Sequence, residues 1–288
     1  MFTIENDVLK VVVQAKGAEL NSIYNKIEQT EYLWSGDPAF WGKKSPVLFP
    51  IVGTLKDDTY IFDGKSYKLG RHGFAREMTF AVTVQSTDTI TLTLESNTET
   101  LQKYPFPFRF DITYWIEQNR LAVLYTVTNT GNGTMYFSVG GHPAFKLPLD
   151  ENNDYNDYYL LFNHAENAGR WPISKDGLIE SQPTPLLNGN RLSLAKELFF
   201  KDAIVLKHLQ SNEVKLTSGK SRTGIDFDFT GFPYLGIWAA KNADFVCIEP
   251  WCGIADSVQA DQQLEFKEGI ETLRAGETFE RTWSVTVY

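Results

Sequence analysis

Apolar residues recur at every second position through much of this chain. Thr79 to Gln85 reads Thr-Phe-Ala-Val-Thr-Val-Gln, and Thr89 to Glu95 reads Thr-Ile-Thr-Leu-Thr-Leu-Glu. A strand with one face in a core requires that alternation. The short polar break Ser86-Thr87-Asp88 predicts a hairpin between the two. A second hairpin is predicted from Tyr60-Ile61-Phe62 to Lys65 through Leu69, because Asp63-Gly64 between them supplies the positive φ of a tight turn. The same pattern predicts strands at Val8 to Gln14, Phe110 to Glu117, Leu121 to Asn129 and Thr134 to Val139. Later strands are expected at Tyr158 to Phe162, Ala203 to Leu209, Glu213 to Thr217, Gly224 to Phe229, Tyr234 to Ala239, Phe245 to Glu249 and Glu277 to Val287.

Helical periodicity is brief. Glu99 to Tyr104 is expected to form a short turn that stops before Pro105. Nothing approaches the strand–helix alternation of a parallel α/β protein, and no segment repeats. Leu147 to Asn156 and Ser181 to Gly189 are loose and polar, with similar strand-like segments on both sides, so they read as loops. The pattern therefore predicts an all-β fold, a large antiparallel β-sandwich in a single domain over residues 1–288.

Composition narrows the partners. The net charge of −9 repels phosphate backbones, which argues against nucleic acid. No basic cluster addresses anionic lipid. No apolar run reaches the length of about 18 residues that a membrane span needs. The N-terminus has neither a basic nor an apolar signal region, so a cytoplasmic monomer or homodimer is expected. Cys247 and Cys252 form no disulfide framework, and C-x4-C without a second pair is no structural zinc motif. They read as two reduced thiols. Aromatic residues make up 14% of the chain, which suits both strands and a ligand groove lined with rings.

Only four histidines are present. His164 reads as a loop residue and His208 as a strand residue, both structural. His72 lies in Gly70-Arg71-His72-Gly73, just past a hairpin, where the glycines permit close backbone approach to a ligand; a plain turn histidine is the other reading. His142 follows Gly140-Gly141 at the end of an apolar strand, and Pro143 biases it to an extended conformation from which it can project off a sheet rim. Glu249 ends the apolar run Phe245-Val246-Cys247-Ile248 and precedes Pro250-Trp251. It is either one half of a buried ion pair or a carboxylate poised for chemistry, and burial beside Trp251 would raise its pKa toward neutrality. The chain has no G-x-S-x-G elbow, no phosphate-binding G-x-x-x-x-G-K-[ST], no strand-linked G-x-G-x-x-G and no H-x-H pair. Imidazoles, carboxylates and rings on a β scaffold suit a sugar site.

These motifs together resemble the aldose 1-epimerase (galactose mutarotase-like) family, most closely its LacX-like branch, which is associated with lactose catabolism. The matching segments are Phe49-Pro50-Ile51-Val52-Gly53, His72-Gly73-Phe74-Ala75-Arg76, Gly141-His142-Pro143-Ala144-Phe145, Lys201-Asp202-Ala203 and Glu249-Pro250-Trp251. The resemblance implies a β-supersandwich and cofactor-free interconversion of the anomers of a free hexose, with no metal. It implies Glu249 as the general base at the C1 hydroxyl and His142 as the general acid at the ring oxygen. It places His72 and Asp202 on the sugar hydroxyls, with a plain surface aspartate as the other reading of Asp202. Arg71, Arg76 and Trp251 complete the expected substrate-binding set. The family commonly has an arginine where Thr54 stands, and Arg71 or Lys56 is the expected replacement. His142-Pro143-Ala144-Phe145-Lys146 also departs from the His-Pro-Tyr-Phe-Asn of the better-known galactose mutarotases, which leaves the sugar open. A hexose 6-phosphate, which would want an arginine cluster such as Arg71 with Arg76, is a close variant. A non-catalytic sugar binder and a glycoside hydrolase with paired carboxylates are the other classes.

Overall fold

The computed structural model describes residues 1–288. Its largest sheet has nine antiparallel strands, running in space from Gly189–Ser193 through Tyr158–Glu166, Glu213–Ser218, Ile225–Asp228, Thr278–Val287, Arg120–Asn129, Phe108–Glu117 and Thr89–Glu95 to Ala81–Gln85. A second, six-stranded sheet is ordered Ile204–Lys207, Tyr234–Trp238, Phe245–Cys252, Val139–Gly141, Val47–Leu48, with Ala144–Lys146 also paired to Phe245–Cys252. A four-stranded sheet of the N-terminal residues, Phe2–Glu5 to Thr30–Glu31, completes the large layers. Sixty-nine buried residues form one apolar cluster that draws on all three sheets. The fold is all-β and antiparallel, as the alternation predicted.

Both predicted hairpins form, with Phe62 opposite Lys65 and Gln85 opposite Ile90 beside their turns; the strand expected from Thr79 begins at Ala81 and carries a bulge between Val82 and Val84. Asp63 and Gly64 hold φ of 48° and 70°, as a two-residue turn of this hand demands. Glu99 to Lys103 falls within a short helix, Thr98–Lys103, with Tyr104 as its C-cap and the Asn97 side chain capping the Glu99 and Thr100 amides. No helix is long and apolar enough to cross a membrane.

Three further expectations change. Thr134 to Val139 is not one strand: Met135–Phe137 pairs with Glu271–Leu273, and Val139–Gly141 passes into the six-stranded sheet. The switch falls at Ser138, whose amide leaves the ladder for the Pro50 carbonyl. The strand expected to end at Glu249 runs on to Cys252, and the two histidines outside the motifs exchange places. His164 lies within Tyr158–Glu166, while His208 sits past the end of Ile204–Lys207 with φ of 58°, a left-handed conformation that ends the strand.

The strand Phe245–Cys252 is buried along its whole length and lies at the centre of the six-stranded sheet. Its partner on one side is interrupted. Val139 and Gly140 pair with Cys252 and Trp251, and Ala144 to Lys146 pair with Cys247 to Phe245. Between them His142 and Pro143 face Glu249 and Ile248. Pro143 and Pro250 lack an N–H, so the ladder thins at this point to the Ile248 amide donating to the Pro143 carbonyl at 3.2 Å.

Candidate active site

Alternation along Phe245–Cys252 puts Phe245, Cys247, Glu249 and Trp251 on one face. That face looks into a pocket of about 310 Å³. The pocket is lined by Trp41, Arg71, His72, Arg76, His142, Asp202, Ala203, Trp238, Glu249 and Trp251. All seven residues singled out in the sequence thus come to one place from four separate stretches of chain. A larger groove of about 720 Å³, lined by residues 167–169 and 183–188, carries no ionisable side chain.

His142 and Glu249 meet at the floor. His142 Nε2 lies 3.3 Å from Glu249 Oε2, and both residues are buried. Burial pushes the Glu249 carboxyl up to about 8, against the opposing pull of the Arg71 guanidinium and a weaker one from the Trp251 indole. Burial lowers His142 to about 3, and the nearby Arg71 charge adds to the effect. Burial thus favours the uncharged form of each group, a carboxyl that keeps its proton and an imidazole that gives one up.

Trp41 stacks on the His142 ring at 4.9 Å and 28°. Trp238 meets the same ring edge-on at 5.6 Å. Trp41 reaches this position from a loop held by a turn at Asp37 and by the Trp34 indole, which donates to the Trp41 carbonyl at 2.9 Å.

His72 has φ of 69° and is buried. Its Nδ1 accepts the Gly53 amide at 3.1 Å, while Arg71 Nε approaches its Nε2 at 3.3 Å. A neutral imidazole accepts at only one nitrogen. Donors therefore face both nitrogens, the Gly53 amide at Nδ1 and the Arg71 Nε–H at Nε2, and a neutral ring satisfies only one of them. Burial, then the charges of Arg71, His142 and Arg76, hold the ring's pKa well below its ordinary value, so it is neutral.

Arg71 Nη2 lies 3.4 Å from Asp202 Oδ1. Asp202 has φ of 92°, and its position is held by Arg170, which donates to the Asp202 carbonyl at 2.8 Å. Arg76 donates to the Arg71 carbonyl at 2.9 Å, while its Nε is buried without a partner. Seven buried side-chain polar atoms have no hydrogen-bond partner within the protein, and four belong to this pocket: Arg76 Nε, His142 Nδ1, Glu249 Oε1 and Trp251 Nε1. Such a concentration is expected where a polar ligand completes the bonding.

The glycines do different work from that expected. A Cβ on Gly73 would sit 2.3 Å from the Phe49 carbonyl oxygen, so the close approach at His72 is to the protein's own backbone. Gly140 and Gly141 are packed, not loose: a Cβ on either would meet Trp251 or the Tyr125 hydroxyl at 2.8 Å. Lys56 is outside the pocket, its ammonium on the Ala260 carbonyl at 3.1 Å. Thr54 is also outside, packed beneath the turn at Gly177. Arg71 is the cation that enters.

The sequence profile of the aldose 1-epimerase family matches residues 1–285. The chain belongs to the aldose 1-epimerase family. Protein LacX of Lactococcus lactis subsp. lactis, in its chromosomal form, is 33% identical over 99% of this chain and 98% of its own length. A galactose mutarotase related enzyme from Lactobacillus acidophilus superposes with a TM-score of 0.94 at 38% identity, covering 100% of this chain and 97% of its own. A galactose mutarotase-like protein from Lactobacillus casei gives 0.93 at 34% identity, with 100% of each chain covered. The sheets described above are thus the galactose mutarotase-like fold of this aldose 1-epimerase family.

Sequence reasoning missed Trp41, Trp238 and Ala203. Trp41 lies in an irregular loop with no periodicity to place it. Trp238 stood at the end of a predicted strand, and its alternation with Gly236 was the one available sign of its face.

Proposed function

We propose that this protein is an aldose 1-epimerase that interconverts the α and β anomers of a hexose by general acid–base opening and closure of the ring. The contact between His142 and Glu249 carries the reading. Ring opening needs one proton taken from O1 and one given to O5. A pair that holds a single proton at neutral pH has the right protonation level for both transfers. With the proton on His142, Glu249 takes the O1 proton while the imidazolium gives its own to O5, and the C1–O5 bond breaks. The aldehyde turns about C1–C2, and the two groups exchange roles as the ring recloses on the other face. A positioned acid or base of this kind contributes about 10²–10⁴-fold.

His72 and the Asp202 carboxylate line the same pocket and would bind ring hydroxyls. Trp41 and Trp238 offer ring faces to the apolar side of a pyranose, a part in which Trp251 is restricted by its burial. No step calls for a metal, a nucleotide or a covalent intermediate. Two free, buried thiols support a reducing compartment such as the cytoplasm.

One observation favours a phosphorylated hexose as a second reading. The pocket brings two guanidiniums, Arg71 and Arg76, against the single charge of Asp202, in a chain whose net charge is −9. Anomer exchange followed by NMR on glucose and on glucose 6-phosphate separates the two. His142→Ala separates an enzyme from a binder: loss of exchange with retained sugar binding, read by tryptophan fluorescence, supports catalysis. A wild type that binds sugar and exchanges neither substrate contradicts it.

A further inference from the structure

The face that carries Glu249 also carries Cys247, two residues earlier on the same strand. One donor atom each from His142, Cys247 and Glu249 lies within 4.8 Å of the others, and all three residues are buried. An imidazole nitrogen, a thiolate sulfur and a carboxylate oxygen form a mixed donor set suited to a soft or borderline divalent ion. Tetrahedral coordination with bonds of about 2.0–2.3 Å separates donors by roughly 3.3–3.8 Å. The three donors must therefore close by about 1 Å, within reach of small side-chain rotations. His142 Nδ1 and Glu249 Oε1 make no hydrogen bond of normal geometry that such a movement would break, and the Trp251 indole exerts only a weaker pull on the carboxyl.

Charge favours occupation as well. A doubly charged cation with one thiolate, one carboxylate and a neutral imidazole sums to zero, which a buried position tolerates better than any partly ionised combination. Arg71 and Arg76 face the same pocket and oppose a cation, while Asp202 partly offsets them. His142 and Glu249 also line the pocket, so a fourth coordination position opens toward it and is free for water.

We propose that His142, Cys247 and Glu249 form a binding site for a soft divalent cation of the zinc and cadmium class, and that occupation excludes the sugar. The exclusion rests on the functional reading above, because the ion takes the lone pairs of both the acid and the base. Binding itself does not rest on it. The ion displaces the thiol proton of Cys247 and the carboxyl proton of Glu249, both of which burial holds on. Two protons leave to water for each ion bound, so affinity rises by up to about 100-fold per pH unit below pH ~8.

Cadmium is the direct probe, because a thiolate bound to it absorbs in the ultraviolet. The wild type and Cys252→Ser are titrated with cadmium chloride at pH 8 in a thiol-free reductant, beside Cys247→Ser and Cys247→Ala. The expected result is a charge-transfer band that saturates at one equivalent in the first two and is absent in the last two, with affinity lowered at least about 100-fold. Near-ultraviolet circular dichroism reports whether each variant is folded. If both Cys247 variants unfold, calorimetry of the wild type at pH 6.5 in buffers of different ionisation enthalpy decides: release of about two protons supports the site, and release of one or none overturns it. No band in the wild type, or a band that survives in folded Cys247→Ser, also overturns it. Cadmium that binds but fails to compete with the sugar overturns the exclusion. A protein that binds cadmium yet turns over no sugar overturns the functional reading and leaves the site standing.

Discussion

His142 Nε2 stands 3.3 Å from Glu249 Oε2 across an interruption between two strands. The relationship is built by the backbone. Val139–Gly141 and Ala144–Lys146 both pair with the strand of Glu249, and the residues between them are left to face it. On the proposed mechanism the two groups pass protons to and from one substrate in a single step, so they are expected to act as a unit. Replacing either, as His142→Gln or Glu249→Gln, is expected to lower kcat by about 10²–10⁴-fold. The double replacement is expected to cost little more than the worse single one. Polarimetric rates for the three variants check this; additive losses would mean that the groups act separately.

The pH dependence follows from the same pair. Below about 3 both groups are protonated and no base is left; above about 8 neither is, and no acid is left. The kcat/KM profile is expected to be level through neutrality and to fall above a pH near 8. A profile that keeps rising to pH 10 would rule out a single shared proton.

Glu249 also costs stability as pH rises from about 4.3 toward about 8. Its folded pKa lies above the ordinary carboxyl value, so the folded state binds the proton more tightly than the unfolded chain does. Stability is complete below the unfolded pKa of about 4.3 and declines as pH rises through the folded value near 8. Glu249→Gln removes the titration. The stability gap in favour of the variant should widen from pH 5 to pH 8 and then level off, as read by urea unfolding across that range. A gap independent of pH would contradict the raised value.

Trp251 lies flat on the sheet because its neighbours have no side chains there. A Cβ on Gly236 would stand 2.3 Å from Trp251 Cζ2, and one on Gly140 would stand 2.8 Å from Cδ1. Gly236→Ala is expected to destabilise the fold by about 1–3 kcal/mol through overpacking. Gly70→Ala, where a Cβ meets nothing within 4 Å, serves as the control. Equal midpoints in thermal unfolding would remove the argument.

Much of this was legible in the chain. Period-two alternation located the main strands, and the Asp63-Gly64 turn fixed the closing pair of a hairpin whose outer ends lie one residue from those expected. His142 and Glu249 were legible as site candidates because each sits between an apolar run and a proline. What alternation could not supply was the break opposite Glu249, which depends on two short strands sharing one partner. The extension to Cys252 was hidden by Pro250, a residue that ordinarily argues against a central strand. It is accepted here where the ladder is already thin. Trp41 was illegible for a different reason: its place on His142 depends on packing between a loop and a distant sheet.

Trp41 is expected to act on both binding and turnover. Its ring stacks on His142 and lines the pocket. Loss of an aromatic contact is worth about 0.5–1.5 kcal/mol, so Trp41→Ala is expected to raise KM several-fold and to lower kcat by loosening the imidazole. Trp41→Phe should recover most of both. Unchanged steady-state constants in Trp41→Ala would take the ring out of the site.

The most direct test is polarimetry of freshly dissolved α-glucose and α-galactose, and then of glucose 6-phosphate, with wild type and Glu249→Gln side by side. The account predicts that the wild type accelerates mutarotation of at least one of these and that Glu249→Gln loses the acceleration while remaining folded. A wild type that accelerates none of them, or a folded Glu249→Gln that keeps the full rate, would contradict it.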